Sequence, residues 1–228
     1  MFPDKDSLFD HRLRWLESVR PERRILRKTA YLRAKRGLDL LIVMLVFPLW
    51  APVLALCVLL IKLESPFDPV FFLQQRTGKG GRRFSMYKFR TMVVNAEALK
   101  EQLQHLNELQ YPDFKISNDP RITRVGWLLR KTSLDELPQL INVIRGDMSL
   151  VGPRPTSFSS DTYQLWQTER LDVSPGITGL WQIVGRGSTE FDVRLRLDIA
   201  YIERSCLWLD LQILFRTFSC VLQQHGTL

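Results

Sequence analysis

Histidine and cysteine are scarce in this 228-residue sequence, three of each, and neither forms a cluster. Cys57, Cys206 and Cys220 lie far apart among apolar neighbours, with no Cys-x-x-Cys pair. That spacing excludes a zinc ribbon and a disulfide framework and fits inert thiols in a reducing compartment. His11, His105 and His225 are scattered, so no Ser/His/Asp set can be assembled. Also missing are a Walker loop and a Gly-x-Gly-x-x-Gly turn, which removes the common glycine-rich phosphate cradles. The acidic pairs Asp4-Lys5-Asp6 and lone Asp68 sit in poor contexts for an Asp-x-Asp metal site. Internal repeats and low-complexity stretches are absent.

Acidic residues are outnumbered 24 to 32 by Lys and Arg, a formal charge of +8. Such a balance suits nucleic acid, anionic lipid or a phosphate-bearing small molecule, and it also suits plain solubility. Position says more than the total. Arg20, Arg23, Arg24, Arg27, Lys28, Arg33, Lys35 and Arg36 crowd ahead of the longest apolar run.

From Leu40 to Ile61 no residue is charged. At about 1.5 Å per residue, a helix of that length reaches across a bilayer. A secretory signal is a poor fit, since the run starts late, is long and lacks a small-residue cleavage site. Pro48 and Pro52 each remove a backbone donor, which predicts a kink near the middle. Basic residues flank both ends, Lys62, Arg76, Lys79, Arg82, Arg83 and Lys88 following the run. A spanning helix must send one basic flank outward, whereas a helix that turns back avoids this. A re-entrant helix is therefore expected over a spanning one, with Pro48 and Pro52 as the break.

Beyond Ile61, short strands are expected at Pro69 to Gln74 and Phe84 to Phe89, with a Thr77–Gly81 turn. Leu99, Leu103, Leu106 and Leu109 make one apolar stripe, predicting a surface helix from Asn95 to Gln110 that Pro112 halts. Further helices are expected at Arg121 to Arg130, Leu134 to Ile144 and Phe191 to Glu203. Loops are expected from Gly146 to Pro155 and Ser174 to Gly187. Leu207 to Leu222 is apolar-rich and reads equally as an interfacial helix or a core helix. The fold class is α+β, mainly helical. Its organisation is a basic segment over 1–32, a re-entrant membrane helix over 33–62 and a catalytic domain over 63–228.

Ser133-Leu134-Asp135-Glu136 matches a capping box, in which side-chain oxygens satisfy free helix donors. With Asp135 as the cap instead, Pro138 falls harmlessly in the first turn. Either way, a carboxylate at a helix start is held ionised and also serves as a nucleophile or a hard-cation ligand. Residues alone leave both roles open. Arg154 is confined between Pro153 and Pro155, which pre-organises a guanidinium for phosphate, though a solvated turn fits as well. Tyr87-Lys88-Phe89-Arg90 places Lys88 and Arg90 on one strand face, toward phosphates, headgroups or water. Arg130 lies five residues before Asp135 and can neutralise charge beside it.

These segments form an ordered set. Arg36-x-x-Asp39 enters the apolar run with its Ala51-Pro52 break, and Tyr87-Lys88-Phe89-Arg90-Thr91-Met92 follows. Leu134-Asp135-Glu136-Leu137-Pro138-Gln139-Leu140 and Asn142-Val143-x-x-Gly146-Asp147-Met148-Ser149 come next. Val151-Gly152-Pro153-Arg154-Pro155 and Pro175-Gly176-Ile177-Thr178-Gly179 complete it. Over roughly residues 33–224 the chain resembles the bacterial sugar transferase family, the monotopic phosphoglycosyl transferases. Its length is similar to that of the short exopolysaccharide-initiating members.

The resemblance implies a re-entrant helix broken at a Ser-Pro, for which this chain has Ala51-Pro52. It implies an Asp135-Glu136 catalytic dyad that binds Mg²⁺, and phosphate-binding arginines at Arg130 and Arg154. Asp198 and Tyr201 fall in a Leu-Asp-x-x-Tyr stretch to which no role attaches. The implied reaction is ping-pong. Asp135 attacks the β-phosphorus of a UDP-sugar, UMP leaves, and undecaprenyl phosphate takes the hexose-1-phosphate, with galactose or glucose the expected sugar. The expected place is the bacterial inner membrane, active site toward the cytoplasm, in contact with membrane lipid. Nucleic acid is not an expected partner; a homo-oligomer is a possible one. The competing reading is a membrane-anchored lipid- or nucleic-acid-binding module without catalysis, in which Asp135-Glu136 and Arg154 have no reason to occur together.

Overall fold

A computed structural model describes residues 14–17, 19, 28–108, 116–184 and 191–222. Arg20, Arg23, Arg24 and Arg27, and likewise Leu109, Pro112, Gly185 and Gly187, lie outside the described residues. The architecture is α+β and mainly helical, as the sequence pattern implies.

A short helix α1 (Arg14–Glu17) contributes Leu16 to the main core. Two longer helices follow, α2 (Lys28–Leu45) and α3 (Phe47–Glu64), separated at Val46. The break thus precedes both prolines and does not fall at Ala51-Pro52. Pro48 explains it: with no N–H to give the Met44 carbonyl, and a ring that crowds it, helix α2 stops at Leu45. Pro48 itself lies in the first turn of α3, where a missing donor costs little. Pro52 sits inside α3 as an internal irregularity. The Val43 carbonyl near the break accepts from the Trp50 indole N–H at 3.0 Å.

Helix α3 is long and apolar enough to cross a membrane, and only 11% of that stretch is buried. Leu45, Leu49 and Leu63 are each at least 70% exposed. Water does not favour such a surface; lipid does. Both outer ends of the α2–α3 pair are fastened to the rest of the protein. On α2, Arg36 donates to the Val143 and Ile144 carbonyls, and Asp39 accepts from the Ser149 hydroxyl at 2.7 Å. Lys35 and Tyr31 meet the buried Asp210 at 3.0 and 2.9 Å. On α3, the Glu64 carboxylate accepts from the backbone N–H groups of Arg124 and Val125. Cys57 and Ile61 pack with Phe89 and Leu129 in a second small core.

Strands β1 (Phe71–Thr77) and β2 (Arg83–Phe89) form an antiparallel hairpin, Phe71 opposite Phe89 and Thr77 opposite Arg83. Its turn needs positive φ at Gly80 and Gly81, which glycine supplies without strain. Helix α4 (Arg124–Lys131) is capped by Thr123, whose hydroxyl accepts from the Gly126 N–H at 2.9 Å. The expected helix over Asn95–Gln110 is instead a series of turns ending in a 3₁₀ turn at Gln104–Leu106. Its backbone bonds mix three- and four-residue spacings, and Leu99, Leu103 and Leu106 are not taken into the core. An apolar stripe without a surface to bury it does not hold a regular helix.

The expected helix at Leu134–Ile144 is divided. A 3₁₀ turn covers Leu134–Glu136, and helix α5 (Gln139–Arg145) begins only after Pro138. The two expected loops contain regular structure: strands β3 (Ser149–Val151) and β4 (Gly176–Thr178) pair in parallel, and a short helix α6 (Leu180–Val184) follows. Helices α7 (Phe191–Arg204) and α8 (Leu207–Leu222) close the fold. Leu209 and Ile213 put one face of α8 in the core, while Trp208, Phe215 and Phe218 leave the other exposed. The core-helix reading therefore holds for one face, and the other face is apolar and exposed.

Gly126 lets α4 lie against residue 91: a Cβ there would stand 2.1 Å from the Thr91 carbonyl oxygen. Backbone on both sides leaves no side chain to yield. Gly126→Ala should therefore cost about 1–3 kcal/mol, read as a lower thermal midpoint in detergent. An unchanged midpoint would show that α4 moves freely against this segment.

Candidate active site

A cavity of about 770 Å³ opens between the hairpin, the 133–136 turn and the 154–158 loop. That is ample for a nucleotide-sized ligand. Four segments distant in sequence furnish its chemistry. Strand β2 carries Lys88 on the cavity side, and the last turn of helix α4 carries Arg130, whose Nε donates to the Thr91 hydroxyl at 2.9 Å.

Ser133 then adopts φ 57°, the one non-glycine residue with positive φ among those described. A serine held there stores backbone strain. That reversal turns Asp135 and Glu136 toward β2. Neither Ser133 nor Asp135 caps a helix: Ser133 makes no capping bond, and Pro138 precedes α5. The capping-box reading is corrected accordingly, because Pro138 delays the helix by one turn.

The fourth segment, Gly152-Pro153-Arg154-Pro155, is fixed backbone to backbone by the Pro175–Gly179 segment. Gly152 N–H donates to the Thr178 carbonyl, and Gly176 N–H donates to the Pro153 carbonyl, both at 2.9 Å. A Cβ on Gly176 would meet the Gly152 nitrogen at 2.1 Å, so only glycine fits. Arg154 is steadied further by Arg170, which donates to its carbonyl at 2.6 Å and pairs with Asp198 at 2.7 Å. Burial pushes the Asp198 carboxyl up to about 7 against the pull of Arg170.

Asp135 and Glu136 are adjacent but differ in environment. Glu136 accepts from Lys88 at 2.8 Å and is paired with Arg154. Burial alone would raise its pKa, but the charges of Arg154 and Lys88 outweigh this and hold it well below the usual range. Asp135 lies 3.9 Å from Lys88, its closest ion pair. Desolvation pushes its pKa up, and Glu136 adds to this, while Lys88, Arg130 and Arg154 pull it down. Adjacent acids with pKa values driven apart are a mark of functional sites. Arg90 lines the same cavity and donates from Nε to the Pro69 carbonyl at 2.8 Å.

The expected residues Lys88, Arg90, Arg130, Asp135, Glu136 and Arg154 thus meet at one cavity; Pro48 and Pro52 lie apart in the helix pair. Sequence reasoning missed Arg76 and Gln74 on β1, and the Arg170–Asp198 pair. The alternation of Phe72, Gln74 and Arg76 along one strand face was the available signal. Among the described residues no group of three or more His, Cys, Asp or Glu could hold a metal. Of the acidic pair expected to hold Mg²⁺, Asp135 is the one that would be open to a divalent cation, while Glu136 is already paired with Lys88 and Arg154.

The sequence pattern of the bacterial sugar transferase family matches residues 30–224. The undecaprenyl-phosphate galactose phosphotransferase of Salmonella typhimurium is 46% identical over 172 residues, covering 72% of this chain and 36% of that protein. Exopolysaccharide production protein ExoY of Rhizobium meliloti is 39% identical over 201 residues, 85% of this chain and 88% of its own. The UDP-glucose:undecaprenyl-phosphate glucose-1-phosphate transferase of Caulobacter vibrioides is 43% identical over 199 residues, 82% of this chain and 69% of its own. Several relatives, the Salmonella protein among them, are longer, and the chain spans 36–41% of their length.

The two carboxylates should respond oppositely to neutralisation. The raised pKa of Asp135 means that the folded state resists its ionisation, so its contribution is fully present below the unfolded pKa and lost as pH rises through the folded one. Asp135→Asn should therefore raise the thermal midpoint at neutral pH, and the gain should vanish under acid conditions where the aspartate is protonated in both states. Glu136, with a depressed pKa, stabilises at neutral pH and stops doing so only well below the carboxylate range. Glu136→Gln leaves Lys88 and Arg154 facing each other and should cost on the order of 2 kcal/mol, discounted for the partial exposure of Arg154. Midpoints moving in the same direction would show that the two groups share one environment.

Proposed function

Because this chain belongs to the bacterial sugar transferase family, we propose that it transfers a hexose-1-phosphate from a UDP-sugar to undecaprenyl phosphate. On this reading the step initiates exopolysaccharide or surface-glycan synthesis, with galactose or glucose as the sugar. The observation that carries it is Asp135: a desolvated carboxylate among Lys88, Arg130 and Arg154, with its neighbour Glu136 tied up in ion pairs. A non-catalytic lipid-binding module would have no use for that arrangement.

In the first half-reaction an Asp135 carboxylate oxygen attacks the β-phosphorus. The new bond is acyl phosphate, the bond to the bridging oxygen breaks, and UMP leaves with the electron pair. In the second, a phosphate oxygen of undecaprenyl phosphate attacks the same phosphorus and Asp135 leaves as carboxylate. The sugar–oxygen bond stays intact throughout. Poor solvation makes the Asp135 carboxylate a better nucleophile, while the surrounding cations keep it ionised. Arg154, rigid between two prolines, and Arg130, seated on Thr91, are placed to take up charge on the phosphoryl oxygens, where most of the stabilisation in phosphoryl transfer arises. Mg²⁺ held by Asp135 and the diphosphate would add neutralising charge at the leaving group.

The proposed setting is the cytoplasmic face of the inner membrane, with the α2–α3 pair re-entrant. Its support is mechanical. Tyr31, Lys35 and Arg36 on one limb and Glu64 on the other all bond to the same globular body. The exposed apolar surface covers the bend between them and continues along α3. Two limbs fastened to one body enter and leave on one side.

Asp135→Asn should abolish turnover in an assay of UDP-sugars with Mg²⁺ and undecaprenyl phosphate, while the protein folds and stays in the membrane. With UDP-sugar but no acceptor, the unmutated protein should retain phosphosugar on Asp135. Residual activity above a few per cent in the asparagine protein would exclude the aspartyl intermediate. For topology, cysteines replacing Lys28 and Lys100, in a background without the native three, should both resist an impermeant thiol reagent in intact cells and react after lysis. Labelling of one alone from outside would mean that the helix spans.

A further inference from the structure

We infer that Arg76 is a further guanidinium of the phosphate site, binding a phosphoryl oxygen of the substrate beside Arg154. The inference rests on the transferase reading above and adds a residue to it. Arg76 is on β1, two strand positions from Gln74 and four from Phe72, and all three line the cavity that holds Asp135. Its Nη1 donates to the Pro155 carbonyl at 3.3 Å and its Nη2 to the Gln74 side-chain oxygen at 2.5 Å. The Nε is buried and has no hydrogen-bond partner among the described residues.

What Arg76 lacks is a counter-charge. Glu136 is the acid whose field reaches it, but that carboxylate is already shared between Lys88 and Arg154. No ion pair ties Arg76 to any described residue. Arg121 and Arg170, elsewhere on the cavity wall, each have a partner aspartate, Asp119 and Asp198. A largely desolvated guanidinium without its own carboxylate, next to another guanidinium, is costly to keep. Burial first, and the charge of Arg154 second, bring its pKa down to about 10. An anion in the cavity removes that cost, and a doubly charged diphosphate diester or a lipid phosphate has the right chemistry. Bonds to Pro155 and Gln74 hold the group in place without neutralising it.

A merely structural arginine and a ligand-binding one predict different stabilities. Removing a structural arginine lowers the midpoint of the ligand-free protein. Removing an uncompensated cation does not, and only ligand-induced stabilisation is lost. The test compares the unmutated protein with Arg76→Gln and Arg76→Lys, each purified with its helix pair in lipid nanodiscs. Single-turnover UMP release from UDP-galactose or UDP-glucose reads the donor, and KM for undecaprenyl phosphate reads the acceptor. Thermal shift with inorganic pyrophosphate reads anion binding without chemistry.

The expected result for Arg76→Gln is a loss of about tenfold or more in at least one arm. The pyrophosphate shift should disappear, and the ligand-free midpoint should not fall. Arg76→Lys, which keeps charge without the planar fork, should fall between. Loss in the donor arm alone assigns the contact to the diphosphate, and loss in the acceptor arm alone to the lipid phosphate. Unchanged kinetics in both arms would overturn the inference. So would lost activity accompanied by a lower ligand-free midpoint and an intact pyrophosphate shift. If the unmutated protein turns over no UDP-sugar, the transferase reading fails, and the pyrophosphate shift still decides whether Arg76 binds phosphate.

Discussion

Glu136 accepts from Lys88 on β2 and from Arg154 in the proline-flanked loop, and that one carboxylate holds three separate chain segments together. The hairpin, the turn after α4 and the segment clasped by β4 converge on it. Its neighbour owes its character to the same contacts. Because Glu136 takes up the nearby cations at bonding distance, Asp135 is left among positive charges without being neutralised by any of them at close range. Two identical charges side by side would repel. Here Lys88 and Arg154 offset the charge of Glu136, which lowers that repulsion without removing it.

The strain at Ser133 belongs to the same arrangement. A serine in the left-handed region is costly unless its surroundings impose it. Helix α4, pressed onto Thr91 through Gly126, fixes one side of the reversal, and the Glu136 ion pairs fix the other. Arg130 gains its position from this packing as well, since Thr91 is both the wall against Gly126 and the acceptor for the guanidinium.

Much of this could be read from residue order. The β1–β2 hairpin, the α7 and α8 helices and the cluster of Lys88, Arg130, Asp135 and Arg154 follow from periodicity, proline-locked turns and the resemblance of ordered segments. What escaped was governed by contacts distant in sequence. Glycines at 152 and 176 look like loop formers, and only their close approach shows that they join a parallel strand pair. The leucine stripe after Asn95 has the helical period, but Leu99, Leu103 and Leu106 do not join the core, so pattern alone misled. Pro48 and Pro52 look equivalent as helix breakers. They differ because only Pro48 leaves the carbonyl one turn earlier, at Met44, on the far side of the break. Arg76 reads as one more basic residue in a basic flank until its strand face is set against β2.

The packing of Cys57 and Ile61 against Phe89 and Leu129 ties the apolar helix to the strand that carries Lys88. Phe89 follows Lys88 directly, and Leu129 precedes Arg130. The buried side of the apolar helix and the backbone that carries Lys88 and Arg130 therefore share a single hydrophobic seam. Deleting the helix pair to obtain a water-soluble enzyme would bare that seam and loosen both cations at once. For this protein, solubilisation by truncation and preservation of the cavity's geometry are opposed aims, because the helix that would be removed is one wall of the small core beneath Lys88 and Arg130.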